Sequence, residues 1–141
     1  METKYISKSE EETIKIGIKL GETSNGGDLF ALYGDIGTGK TVLSKGIAKG
    51  LGIEEDVTSP TFTMLEIYEG IKTLYHFDLY RINNESELDN LFFEEYWFGQ
   101  GISVIEWAER GGDRLPQNRI NINIESLNET SRSITIEYPG N

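Results

Sequence analysis

Gly34-Asp35-Ile36-Gly37-Thr38-Gly39-Lys40-Thr41 decides the reading of this 141-residue chain. The stretch satisfies every fixed position of the phosphate-binding loop pattern G-x-x-x-x-G-K-[ST]. Its flanks agree with that reading. Asp28–Tyr33 (DLFALY) is a short apolar run of the kind found in buried strands. Lys40–Leu51 reads as a helix stopped by Gly50 and Gly52. Each residue type then has a physical task. Glycines let backbone N–H groups turn inward without a Cβ blocking the approach of a phosphate. The helix N-terminus adds its positive dipole end. Lys40 places an ammonium at the β- and γ-phosphates, and the Thr41 hydroxyl is a hard oxygen ligand suited to Mg²⁺. Nucleotide binding is the expectation.

Working outward, Ser9 with Glu12 makes a capping-box pattern, and Glu11 and Lys15 stand four apart, so residues 9–21 are expected to be a helix although Ile14, Ile16, Ile18 and Leu20 alternate. Thr58-Ser59-Pro60-Thr61 reads as a polar turn. Phe62–Tyr68 and Lys72–Tyr80 flank Glu69-Gly70 and predict an antiparallel hairpin. One or two short helices are expected in Glu85–Phe98, a buried strand in Gly101–Trp107, and strands in Arg119–Ser126 and Ser133–Tyr138. Met1–Glu12 reads as a charged segment without the apolar stretch of a signal peptide. The expected fold is α/β: a P-loop NTPase-like three-layer fold with a mixed, parallel plus antiparallel, sheet in one domain over residues 1–141.

The composition narrows the field. With 24 acidic residues against 13 basic ones the net charge is −11. Binding a nucleic-acid backbone needs a basic stripe, so this chain alone is a poor candidate for it. The absence of cysteine removes disulfide frameworks, thiolate nucleophiles and Cys-based zinc sites. No run approaches the ~18 apolar residues of a membrane span. A cytoplasmic protein with no membrane association is expected.

Hydrolysis would need a second acidic group near the metal and a group to order water. Glu106 ends the run Ile102-Ser103-Val104-Ile105, where a Walker-B-like carboxylate belongs; the plainer reading is the first solvated residue past a buried strand, and the place at the end of an apolar strand favours the functional one. Asp78, in Tyr75–Arg81, reads equally well as functional or as a solvent-face charge paired with Arg81. His76, the only histidine, is expected to be packed or hydrogen-bonded. Trp107 reads first as core. The acidic run Glu85–Glu95 reads as a solvated face, with Phe92, Phe93, Tyr96 and Trp97 as an amphipathic surface for a partner.

The motifs GDIGTGKT (34–41), TSPTF (58–62), YHFDLYRI (75–82) and VIEWAER (104–110) follow one another in the order and spacing of one family. In this the chain resembles the TsaE family, also called YjeE, from about Thr13 to Arg132. The loop is shared by many families, whereas the other three motifs together are specific. Ile36 and Thr38 stand where the family more often has Leu and Ala, and Ala108 where Pro is usual; none of these removes a chemical group. The resemblance implies a small ATPase using ATP and Mg²⁺ in the threonylcarbamoyl modification of adenosine next to the anticodon of tRNA. Its implied partners are TsaB and TsaD, with tRNA reached only indirectly through that complex. It further implies that Asp35, Ile36, Gly37, Thr38, Gly39, Lys40, Thr41 and Val42 bind the cofactor, and that Thr41 and Glu106 hold the metal. Thr61 resembles a switch residue sensing the γ-phosphate, and Asp78 an acidic group near the water or metal. Thr13 and Arg132 match positions near base and ribose, and Trp107 a tryptophan beside the nucleotide.

The expected chemistry is therefore slow ATP hydrolysis, with Lys40 stabilising charge and Asp78 or Thr61 ordering water. Arg81 is the nearest arginine in cis, and a partner can supply one instead. Two other readings compete. A small kinase would need an acceptor pocket and an arginine-bearing lid, for which there is no insertion. A nucleotide-switched binding module would use occupancy alone.

Overall fold

The computed structural model describes residues 1–35, 37–60 and 63–140. Its strands are β1 (Glu2–Ser7), β2 (Leu29–Tyr33), β3 (Leu65–Tyr68), β4 (Leu74–Asp78), β5 (Ile102–Glu106), β6 (Ile120–Ser126) and β7 (Arg132–Glu137). The helices are α1 (Glu10–Thr23), α2 (Lys40–Gly50) and the single turn α3 (Glu94–Trp97). Short 3-10 turns occupy Glu85–Asn90, Ala108–Arg110 and Gly112–Arg114. The seven strands make one sheet in the order β1-β7-β6-β2-β5-β4-β3. β2 runs parallel to both β5 and β6, and β4 parallel to β5, while β1/β7, β6/β7 and β3/β4 are antiparallel.

The period-two alternation of β2 assigns its side chains to two cores. Phe30 and Leu32 meet Leu43, Ile47, Val104 and Ile122 beneath α1 and α2. Leu29 and Ala31 face Phe77, Phe93, Trp97 and Ile105 on the opposite side. Two helices, a mixed sheet and a layer of short turns give the expected three layers. Phe77 packs edge-on to both Phe93 and Trp97, so these two aromatic residues are core rather than partner surface.

α1 begins where the cap pattern puts it. Ser9 Oγ accepts from the Glu12 N–H at 3.1 Å, and the Glu12 carboxylate accepts from the Lys8 N–H at 2.9 Å. The hairpin strands are shorter than expected, since β3 starts at Leu65. The N-terminal segment also differs from its sequence reading. Glu2–Ser7 is an edge strand, paired in register with Arg132–Glu137. Most of its residues are exposed or half-exposed, so it lacks an apolar alternation, and its order comes from the β7 backbone ladder. No described helix is long and apolar enough to cross a membrane.

Candidate nucleotide and metal site

β2, β5 and β4 run parallel, so their carboxyl ends share one edge of the sheet, where α/β proteins bind ligands. The glycine loop leaves β2 there, Glu106 is the last residue of β5, and Asp78 is the last of β4, opposite Glu106 in register. A cavity of about 640 Å³ opens over this edge. Thr13, Gly37, Thr38, Gly39, Lys40, Thr41, Val42, Asp78, Glu106, Trp107 and Arg132 line it. Ile36 and Thr61 lie outside the described residues. Asp35 is not in the lining; its carbonyl accepts from the Thr38 hydroxyl at 2.8 Å and pins the loop from within.

Gly37 and Gly39 have φ of 80° and 104°, a left-handed backbone that glycine adopts without penalty. A Cβ at either would meet nothing within 4 Å, so the space in front of the loop is open. Gly39 caps α2 without any side-chain hydrogen bond, leaving first-turn N–H groups for an anion. The Lys40 ammonium donates to the Gly34 carbonyl and lies 3.7 Å from the centre of the Trp107 ring. Burial lowers its pKa, against the pull of Glu109, Glu106, Asp78 and Asp35.

Glu106 is the hub. Its Oε1 accepts from Thr41 Oγ1 at 2.9 Å, and its Oε2 lies 3.1 Å from Ser44 Oγ and 2.6 Å from His76 Nε2. Burial alone would raise this carboxyl's pKa, but its contact with His76 and the hydrogen bonds from Thr41 and Ser44 outweigh it and lower the pKa. Asp78 shows the opposite balance. Burial raises its pKa, the neighbouring Glu106 adds to that, and a hydrogen bond from the Tyr80 N–H at 2.9 Å only partly offsets them. Its carboxylate faces the cavity rather than bulk solvent alone.

Trp107 is not core. It sits half-exposed in the cavity wall with φ of 58°, a strained conformation for a tryptophan, and its ring packs 4.9 Å from Tyr80. Arg132 spends its guanidinium on the loop itself, donating to the carbonyls of Thr38 at 2.8 Å and Gly37 at 3.3 Å.

The donor set suits a hard cation beside a phosphate chain. A hydroxyl and a carboxylate converge at the start of α2, and among the described residues no three His, Cys, Asp or Glu side chains are grouped so that they could hold a metal ion by themselves. Proteins that use Mg²⁺ commonly supply only one or two such oxygens, so the set present here would suit that ion.

Sequence reasoning missed Ser44, Ser59 and the partner of His76. Ser44 stands one turn beyond Lys40 and three residues beyond Thr41, a helical spacing that was available as a signal. Ser59 Oγ lies 3.0 Å from Thr41 Oγ1, a proximity no local pattern announces.

Comparison with known proteins agrees with this architecture. The family profile described as "Threonylcarbamoyl adenosine biosynthesis protein TsaE" matches residues 7–134. Proteins named tRNA threonylcarbamoyladenosine biosynthesis protein TsaE are similar along most of the chain. That of Treponema pallidum is 39% identical, over 93% of this chain and 97% of its own length. That of Bacillus subtilis is 42% identical, over 98% and 87%. The crystal structure of Bacillus subtilis YdiB superposes with a TM-score of 0.83 at 35% identity, covering 99% of this chain and 87% of that one. The profile spans most of the chain and the relatives are of similar length, so the chain belongs to the TsaE family.

Proposed function

We propose that this chain works as a single P-loop ATPase domain over residues 1–141, in the cytoplasm, in the synthesis of threonylcarbamoyladenosine on tRNA. It binds ATP with Mg²⁺, hydrolyses it slowly alone, and does so faster when assembled with TsaB and TsaD; tRNA is met only through that complex. The observation that carries the reading is the convergence of Lys40, Thr41 and Glu106 at the open glycine loop. The relatives' names supply the pathway.

In this reading the loop amides and the α2 N-terminus bind the phosphates, and Lys40 exchanges the Gly34 carbonyl for the γ-phosphoryl group. Thr41 and Glu106 would hold Mg²⁺, which would supply neutralising positive charge for the phosphates. Asp78, with its raised pKa, accepts a proton from the attacking water or orients it, together with Thr61. The only arginine lining the cavity among the described residues, Arg132, is committed to the loop carbonyls, so an arginine from a partner is the natural source of the missing acceleration. Such a residue is worth about 10³–10⁵ in rate.

ATP hydrolysis measured with and without TsaB and TsaD, with Lys40→Ala as the blank, tests the reading. Stimulation that Lys40→Ala abolishes is expected. A basal rate equal to that of the complex would sink it. Glu106→Gln separates turnover from a pure switch: tRNA modification is expected to fail although the variant still docks.

A further inference from the structure

His76 is fully buried, and its Nε2 lies 2.6 Å from Glu106 Oε2. Its Nδ1 is buried with no hydrogen-bond partner among the described residues. As a device for stability this is a poor choice, since burying a half-satisfied polar ring costs more than packing an apolar residue of like volume. The ring has one polar contact, and that contact is the candidate metal carboxylate.

The donors around Glu106 are unequal. The single proton of Ser44 Oγ is shared between Oε2 and the Lys40 carbonyl at 2.9 Å. Thr41 Oγ1 reaches Oε1 but also meets Ser59 Oγ. Of the three, the His76 N–H alone has no competing acceptor among the described residues. Neither His76 nor Ser44 lines the cavity, whereas Thr41 does, so the two carboxylate oxygens have different surroundings. Oε2 is turned into the interior between sheet and helix, and Oε1 is turned toward the phosphate loop.

We propose that His76 is a positioning residue for the metal carboxylate: its Nε2–H holds Oε2 inward, leaving Oε1 beside Thr41 as the one Glu106 oxygen presented to a divalent cation. The inference rests on the nucleotide and Mg²⁺ reading above, and it deepens that reading by assigning the buried histidine a task. The β-sheet register makes the contact, because His76 pairs with Val104 and therefore lies diagonal to Glu106 on the same face.

The test uses the full chain, with Mn²⁺ as the paramagnetic probe and a fluorescent ADP analogue as the nucleotide. In His76→Phe, Mn²⁺ affinity of the ADP complex is expected to fall about 10–100-fold, the usual effect of losing a partner of a metal ligand. Affinity for the analogue in EDTA is expected to stay within about twofold, because the loop and helix amides bind phosphate without Glu106. His76→Gln, whose amide N–H reaches the Nε2 position, restores Mn²⁺ binding, and His76→Asn, whose amide reaches only the Nδ1 position, does not. Equal Mn²⁺ affinity in wild type, Gln and Asn variants overturns the proposal, and that pair carries the test should His76→Phe not fold. Wild-type protein that takes up no analogue would overturn the nucleotide reading instead.

Discussion

Arg132 illustrates how a residue's neighbours change its meaning. Resemblance puts it near base and ribose, and it does line the cavity. Its forked donors, however, hold the Thr38 and Gly37 carbonyls from one side and those of Asn128 and Ser131 from the other. These bonds hold the loop carbonyls against Arg132, which in the proposed nucleotide reading leaves the opposite face of those peptides for a phosphate. Arg132→Lys keeps the charge and loses the fork. Nucleotide affinity is expected to fall about tenfold, the equivalent of one charge-assisted hydrogen bond, as read by titration calorimetry. Glu106 makes a second prediction at this scale. Its pKa is lowered on folding, so it contributes stability that is present above the ordinary value of 4.5 and is lost as pH falls through the folded-state pKa. Asp78, whose pKa is raised, acts in the opposite sense and loses its penalty on acidification. Denaturant unfolding at pH 7 and below pH 4.5 is expected to show a smaller acid loss in Glu106→Gln than in wild type. An equal loss would mean that the hydrogen bonds to Glu106 do not stabilise its charged form.

Among the elements, α1 and α2 decide how the loop is supported. They approach closely enough that a Cβ on Gly46 would stand 2.4 Å from the Ile14 carbonyl oxygen, and one on Gly50 2.2 Å from that of Ile18. Alanine is the better helix former by up to about 1 kcal/mol, yet here the contact is with backbone and cannot yield cheaply. Gly46→Ala is expected to destabilise the fold by about 1–3 kcal/mol, as overpacking does. Thermal unfolding should register this as a fall of roughly 4–12 °C. An unchanged or higher Tm would show that the helices separate at little cost. From sequence, Gly50 reads as a helix stop and Gly46 passes unremarked. The reason is physical: two glycines four apart mark a contact only when a second helix lies against them. β1 escaped notice for a related reason, since an exposed edge strand is specified by its neighbour's backbone rather than by its own side chains.

At the scale of the whole molecule the charge of −11 dominates. The ion pairs among the described residues are few and mostly exposed, as with Lys15–Glu11 and Arg114 with Glu85 and Asp89. Such pairs are worth little, whereas self-repulsion acts over the entire surface. Raising salt from about 0.05 to 0.5 M shortens the Debye length severalfold, so Tm is expected to rise. A fall would mean that the ion pairs outweigh the repulsion. By the same argument the isolated chain should show no salt-sensitive binding to tRNA in a filter or mobility assay.

The sequence by itself determined the local parts: a strand, a glycine loop and a helix in succession, a carboxylate at the end of another buried strand, and the capped start of α1. These are legible because their causes lie within a few residues of one another, in backbone freedom, helix capping and periodicity. The tertiary structure alone decided which parts meet. Thr41 reaches Glu106 across 65 residues, Ser44 across 62 and His76 across 30. Arg132 reaches the loop across 94. The meetings at Glu106 follow from placing β5 between β2 and β4, and that of Arg132 from β7 lying beside β6, which pairs with β2, each with its own register. Register is a property of two strands packed together, so neither strand's sequence contains it alone.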